Sequence, residues 1–156
     1  MDVLQIIKGD HQELREALGR ATLGIEDANS ADLLRKLVGS LRLHLKLEVD
    51  YLYPEISSVL NGASPDFLKR SLENHKTIAD QLNQLDRHLS DRSIAGASGL
   101  LSPLQKTVME HLELEETVLM PRLREAMPTS HREGLGEVFL DLKDIEEAAE
   151  NNEVRH

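Results

Sequence analysis

Two eleven-residue segments of this chain share a pattern of side chains suited to binding metal ions. Residues 44–54 read HLKLEVDYLYP and residues 111–121 read HLELEETVLMP, an ungapped match at an offset of 67 with six of the eleven positions identical. Seven histidines and 17 glutamates in 156 residues give about 0.8 His-x-x-x-Glu pairs by chance. One such pair would carry no weight, but two in matching contexts indicate a duplication.

A second pair of matching segments lies upstream of these two. Asp10-His11 and Asn74-His75 are related by an offset of 64. The chain therefore reads as a duplicated helical hairpin with three extra residues in the second loop region. Together the two repeats provide six candidate metal ligands: His11, His44, Glu48, His75, His111 and Glu115.

Four stretches with apolar residues at steps of three and four predict the helices that position these ligands. They run from about residue 3 to 28, 31 to 60, 65 to 89 and 103 to 126, with punctuation at Asn29-Ser30, Asn61-Gly62, Ser64-Pro65, Ser102-Pro103 and Met127-Pro128-Thr129. The serine- and glycine-rich residues 90–99 are expected to form a loop. All six candidate ligands lie on the apolar stripes, which predicts that they face the core.

Long helices joined by mostly short loops predict an all-α fold, an up-down-up-down antiparallel four-helix bundle with an additional C-terminal helix. Residues 1–128 would form the bundle, with hairpins at about 3–60 and 65–126. Residues 129–156 would add a C-terminal helix and tail to the same domain. That amphipathic segment, about 130–151, could pack across the bundle or mediate a dimer, so monomer and dimer both remain open.

The chemistry of the six candidate ligands favours a metal cluster over a network of hydrogen bonds. Burying carboxylates and imidazoles without partners costs several kcal/mol for each charged group. Residues four apart lie on one helix face, roughly 6 Å apart along the axis, so each His-x-x-x-Glu pair can converge on one ion or on adjacent ions. We assign His11 and His44 to one ion and His75 and His111 to the other, with bridging glutamates. Imidazole and carboxylate ligands suit iron, manganese or zinc.

The order of these motifs resembles the hemerythrin-like, or HHE cation-binding, domain over roughly residues 3 to 126. The resemblance implies two iron ions in a four-helix bundle, oxo- or hydroxo-bridged, held by the six assigned ligands. Zinc or manganese are possible substitutes. It also implies small ligands such as O2, NO, peroxide or azide.

Ala79 stands where oxygen-carrying hemerythrins have a fifth histidine, so the second ion is expected to be less fully coordinated. Four histidines and two glutamates are instead the set of the iron–sulfur cluster repair branch. Tyr51 and Tyr53, about one turn beyond Glu48, are the nearest candidates to fill the gap, although packing or interface roles are the commoner use of tyrosine. Glu116 is expected on a solvated face.

Several other residues are predicted to have no part in the site. His88, His131 and His156 lack partners at ligand spacing and are expected to face solvent. Pro54 and Pro121 occupy equivalent positions beyond the glutamates, where each should kink or end its helix.

Three functions remain open on the sequence alone. The first is binding or sensing of O2 or NO, the second is an enzyme acting on peroxide or NO or in iron–sulfur cluster repair, and the third is an iron store or iron-sensing interaction module. A net charge of −10 makes nucleic-acid binding unlikely. The sequence contains no long apolar run and no cysteine and starts without a secretion signal, which predicts a cytoplasmic protein that does not contact membranes.

Overall fold

The computed structural model describes residues 1–23, 28–60, 66–90 and 94–154. Within these ranges the chain is helical and contains no strand, as the all-α prediction requires. Its α-helices are α1 (Val3–Thr22), α2 (Ala28–Leu47), α3 (Tyr53–Val59), α4 (Asp66–Ser90), α5 (Ile94–Leu114), α6 (Met120–Ala126) and α7 (Thr129–Val154). Two π-helical turns, Glu48–Leu52 and Glu115–Leu119, join α2 to α3 and α5 to α6.

The four long helices α1, α2, α4 and α5 form the antiparallel bundle. Each contacts two of the others, since α1 packs on α2, α2 on α4, α4 on α5 and α5 on α1. This closed ring of neighbours is the arrangement of an up-down-up-down bundle. The inward-facing residues of all four helices therefore meet along one central axis.

Two separate apolar clusters fill the bundle, one on each side of a polar layer. Along α1, Ile7 belongs to the first cluster and Leu14 to the second, and His11 lies between them. Along α4, Leu68 and Ile78 are divided in the same way around His75. Burial of the two aliphatic clusters supplies the hydrophobic stabilisation that offsets the desolvation of the polar layer.

Helix α7 packs across the bundle and contacts α1 and α2, the first hairpin. Leu135 and Phe139 are buried in the first apolar cluster. Gly136 allows a close approach, because a Cβ atom there would collide with the backbone oxygen of Met1. The sequence left open whether this amphipathic segment packs on the bundle or mediates a dimer; in the folded chain it covers the first hairpin.

Several predicted helix boundaries are wrong. Helix α1 ends at Thr22 rather than near residue 28, and α2 begins at Ala28 rather than at residue 31. The starts and stops expected at 61–65 lie outside the described residues.

The loop predicted at residues 90–99 is also wrong, because α5 begins at Ile94 and contains Pro103 in its interior. Ala97 and Leu101 are buried in the second apolar cluster, so tertiary burial outweighs the weak helix propensity of this serine- and glycine-rich segment. Pro103 is exposed. Its ring, and the backbone carbonyl of the preceding turn that receives no hydrogen bond from it, are therefore accessible to water.

Of the two predicted effects of Pro54 and Pro121, a kink or an end of the helix, the second is wrong, because the chain remains helical beyond each proline. The chain stays helical to Val59 and Ala126, and a π-helical turn precedes each proline. In these turns the backbone N–H of Tyr53 donates to the oxygen of Glu48, and that of Met120 donates to the oxygen of Glu115. Each proline follows a π-helical turn and stands in the first turn of the next α-helical segment, where a backbone N–H donor is not required. The chain therefore stays helical on both sides of the proline.

Candidate metal centre

The six candidate ligands lie together in the polar layer, and all six are buried. His11, His44, His75 and His111 come from the four bundle helices, while each glutamate opens one π-helical turn. Ligand atoms lie within 4.8 Å of one another in two groups, one of His11, His44, Glu48 and Glu115 and the other of Glu48, His75 and His111. Glu48 belongs to both groups, which is the arrangement expected of a shared ligand.

The four imidazoles direct their Nε2 atoms toward the two carboxylates. The Nε2 atom of His44 lies 3.1 Å from Oε1 of Glu48, and that of His11 lies 3.2 Å from Oε1 of Glu115. His111 contacts both carboxylates at 3.2 Å, and His75 lies 3.4 Å from Oε1 of Glu48. Four nitrogen and two carboxylate ligands thus surround one small volume.

Several of these polar atoms are buried without a hydrogen-bond partner. They are His11 Nδ1 and Nε2, His44 Nε2, Glu48 Oε2, His111 Nδ1 and Glu115 Oε1. Buried polar atoms in proteins are nearly always paired, and here nitrogens and oxygens lie about 3 Å apart without the alignment of a hydrogen bond. Nitrogen and oxygen atoms that converge in this way without hydrogen bonds between them are suited to bind a cation. Mixed imidazole and carboxylate ligands suit a first-row transition metal.

The electrostatics of the layer point to competition between protons and a cation. Burial alone would lower the pKa of His111, but the negative charge of Glu115 raises it to about 9. Burial would likewise lower the pKa of His44, but the charge of Glu48 and the contact with Asp10 raise it well above its ordinary value. The imidazoles of His44 and His111 therefore keep protons that offset the charge of the carboxylates, and a bound cation would displace these protons.

Two carboxylates outside the ligand set contact the histidines of the first hairpin. Asp10 lies 3.9 Å from Nδ1 of His44, and Lys143 of α7 contacts Asp10 at 2.6 Å. Such carboxylate–histidine contacts orient a ligating ring and raise its basicity. The side chain of Lys143 thus connects α7 to the candidate centre, a contact that periodicity gave no means of finding.

The second of these carboxylates is Glu116, for which the predicted solvated position is wrong. Its side chain is only 23% exposed, and its Oε1 atom lies 3.4 Å from Nδ1 of His11. Arg15 of α1 donates to the same oxygen at 2.9 Å and pairs with the other oxygen as well. The Arg15 guanidinium holds the pKa of Glu116 below its ordinary value, so the contact to His11 is with an ionised carboxylate.

Tyr53 also lies at the centre, and a packing role alone does not describe it. Its hydroxyl lies 2.9 Å from Nε2 of His75 and donates to Oε2 of Glu115 at 3.2 Å. Burial, together with the charge of Glu48, raises the pKa of this phenol well above its ordinary value, so it stays protonated. Tyr51, by contrast, is exposed, and the π-helical turn decides which of the two tyrosines points inward.

Two further histidines of the described residues, His88 and His131, lie away from the centre. His131 is exposed, as predicted, although its Nε2 atom lies 2.9 Å from Oε2 of Glu55. His88 is half-buried rather than solvent-facing, and His156 lies outside the described residues. Ala79, at the position of the absent fifth histidine, is exposed on α4. In the described part of the chain, only the two groups at the centre bring three or more potential ligands together.

Comparison with known proteins identifies the family. The model of the hemerythrin HHE cation-binding domain matches residues 2–123 and matches a second time at residues 66–154. The chain therefore belongs to the hemerythrin HHE cation-binding domain family. The second match begins at α4, the start of the second hairpin, in keeping with a duplicated hairpin. No curated protein and no solved structure matched the chain.

The family and the buried cluster together show a protein with a metal-binding centre. The ligand atoms come from all four bundle helices, so the centre links the two hairpins. None of the helices in the described ranges has the length and apolar character needed to cross a membrane.

Proposed function

We propose that the chain holds two iron ions between its hairpins and binds O2 or NO there. His11 and His44 would hold one ion, and His75 and His111 the other. Glu48 and Glu115 would hold both. The observation that carries this proposal is the convergence of buried nitrogen and oxygen atoms from four helices on one small volume, several of them without a hydrogen-bond partner.

The chain's own residues prepare the centre for a small ligand. Iron, when bound, would supply open coordination positions and the ability to exchange electrons. The two apolar clusters on either side of the polar layer restrict water, and the hydroxyl of Tyr53 places a hydrogen-bond donor among the ligands. Four nitrogens and two carboxylates leave positions for a small ligand because no fifth histidine is present at Ala79.

Optical spectroscopy tests this proposal directly. Protein loaded anaerobically with iron is exposed to O2, NO and azide, and the absorption spectrum is recorded before and after the ligand is removed. We expect ligand-dependent and reversible changes with O2 or NO. Protein carrying the E48A and E115A substitutions should show none of them. A fully iron-loaded protein whose spectrum is indifferent to all three ligands would refute the proposal.

A second candidate function is reduction of peroxide or NO, and the position of Tyr53 favours it. A buried phenol with its proton directed at Glu115 could supply a hydrogen atom or a proton close to a bound ligand. Repeated turnover of peroxide or NO, abolished by H111A, would support an enzyme. The Y53F variant should slow turnover while the exposed control Y51F should not. A strictly stoichiometric reaction would argue against catalysis.

A further inference from the structure

The two ion positions have equal ligands but unequal surroundings. At the first position the Arg15–Glu116 pair covers His11. The repeat offsets place Ala79 at the position equivalent to Arg15 and Val49 at the position equivalent to Glu116. The second repeat therefore cannot form this ion pair.

An open cavity occupies the place of the missing ion pair. Val49 and Ala79 line a cavity of about 340 Å³ that reaches the ring of His75. The side chain of His75 is 9% exposed and that of His11 is 0% exposed. Water-sized molecules can therefore approach the second position from outside, whereas the ion pair closes the equivalent route to His11.

A cavity of about 300 Å³ also reaches His44 at the first position, but its lining differs. Asp10 and Lys143, in contact at 2.6 Å, line it on the side of the His44 Nδ1 atom. The Asp10–Lys143 ion pair therefore borders the approach to His44, whereas the uncharged Val49 and Ala79 border the approach to His75. The residue equivalent to Asp10 is Asn74, which carries no charge.

The carboxylates at the first position should also raise its metal affinity. A carboxylate that accepts a hydrogen bond from a ligating imidazole orients the ring and increases its basicity, and its loss typically weakens metal binding about 10- to 100-fold. Glu116 lies 3.4 Å from Nδ1 of His11 and Asp10 lies 3.9 Å from Nδ1 of His44, so a small movement on metal binding would complete each hydrogen bond. At the second position the equivalent residues are Val49 and Asn74, and neither carries a carboxylate.

We propose that the two ion positions are unequal. The His11/His44 position binds its ion first and retains it, and the His75/His111 position exchanges its ion and admits small ligands through the cavity between Val49 and Ala79. Of the cations in the cavity lining, Arg42 pairs with Asp86 and Lys46 pairs with Glu146, so the absence of an Arg–Glu pair between Val49 and Ala79, rather than a positive charge, keeps this route open. The inference rests on the proposed two-ion centre and concerns which half of it is open.

Zinc titration of the metal-free protein by calorimetry tests the affinities without O2, NO or turnover. We expect two steps, the first tighter than the second. Because Asn already stands at the equivalent position of the second repeat, D10N is a conservative change; D10N and E116Q should each weaken the tight step about 10- to 100-fold. The matched control variants E125Q and D141N change exposed carboxylates away from the centre and should leave both steps unchanged. Two equal steps, or weakening of the loose step by E116Q, would overturn the inference.

Exchange of the Arg–Glu pair between the two repeats tests access. The V49E/A79R variant places the pair in the cavity and should slow azide binding to the iron-loaded protein and zinc loss to a chelator several-fold. The reverse variant, R15A/E116V, should open the first position and speed zinc loss from it. Unchanged rates in either folded, two-zinc variant would contradict the inference. If the parent protein binds no zinc, the proposed metal centre is refuted. If it binds zinc in two unequal steps but its iron-loaded form does not respond to O2 or NO, only the proposed gas binding is refuted.

Discussion

The two hairpins of this protein contribute the same types of candidate ligand from equivalent helical positions but differ in the residues that surround them. Each provides one histidine from its first helix and a His-x-x-x-Glu pair that ends in a π-helical turn. The first hairpin is covered by α7 and contacted by two ion pairs, whereas His75 of the second hairpin contacts the phenol of Tyr53 and lines an open cavity. Met120, the counterpart of Tyr53, has no polar group that ionises or donates a hydrogen bond.

This difference shows which parts of a duplicated centre can change independently. Ligand spacing is a property of a single helix, so duplication of the hairpin copies it. The supporting contacts cross between helices, as from Arg15 of α1 to Glu116 beyond α5, and each depends on two separate positions. A substitution at either position removes the support without disturbing the ligand.

The largest effect is expected from removing the carboxylates common to both halves. E48A/E115A should reduce metal uptake from two ions to none, because the four histidines lose the anions that hold both ions. Stabilisation by saturating zinc, about 4 kcal/mol when free metal is 1,000-fold above the dissociation constant, should disappear from thermal unfolding. The matched control E13A/E113A changes exposed glutamates and should keep both ions. Full uptake by E48A/E115A would show that metal binds elsewhere.

A smaller effect is expected where α7 covers the first hairpin. In G136A the new methyl group would collide with the backbone oxygen of Met1 and crowd Val3, so we expect a loss of about 1–3 kcal/mol in the free energy of unfolding. G134A is the control, because a methyl group there meets nothing within 4 Å. It should stabilise the helix by roughly 0.5–1 kcal/mol. Urea denaturation measures the free energy of unfolding of both variants. Equal changes in this free energy for G136A and G134A would mean that α7 does not pack closely on α1.

Zinc binding should depend on pH in both halves, since His44 and His111 both have raised pKa values. His111, with a pKa of about 9, is protonated at pH 7, and zinc must displace that proton. Apparent affinity should therefore rise between pH 6 and 8, by about tenfold, or 1.4 kcal/mol, per pH unit for each proton displaced. Calorimetry in buffers with different ionisation enthalpies counts the released protons. A flat profile would show that the imidazoles are already neutral.

The smallest effect is expected at the phenol that distinguishes the two halves. Y53F removes the hydroxyl between His75 and Glu115 and should cost the metal-free protein about 1 kcal/mol in stability. Y51F, at an exposed position, should stay within about 0.5 kcal/mol of the parent. Chemical denaturation of both variants makes the comparison. Identical stabilities would show that the Tyr53 hydroxyl makes no net contribution to folding.

The helical bundle and the common layer of the six candidate ligands could both be predicted from the sequence, because both depend on the regular spacing of residues along single helices. A helix turns by a constant angle per residue, so His44 and Glu48 must share a face, and the gapless repeat at 111–121 fixes the second pair in the same phase. Local rules failed where burial decided the outcome. Residues 94–99 have weak helix propensity, yet the burial of Ala97 keeps them in α5.

Contacts between distant residues were decided only by the tertiary structure. The position of Glu116 on its own helix predicts a surface residue. Its contact with His11 depends on the ion pair with Arg15, which lies 101 positions away in the sequence. The inward position of Tyr53 depends on the π-helical turn, which a regular helical period does not reveal. The sequence by itself determined which atoms could bind a cation. The packing of the helices decided which side chains lie beside each histidine and which residues line the cavity that reaches it, because ion pairs and cavities form between helices rather than along one of them.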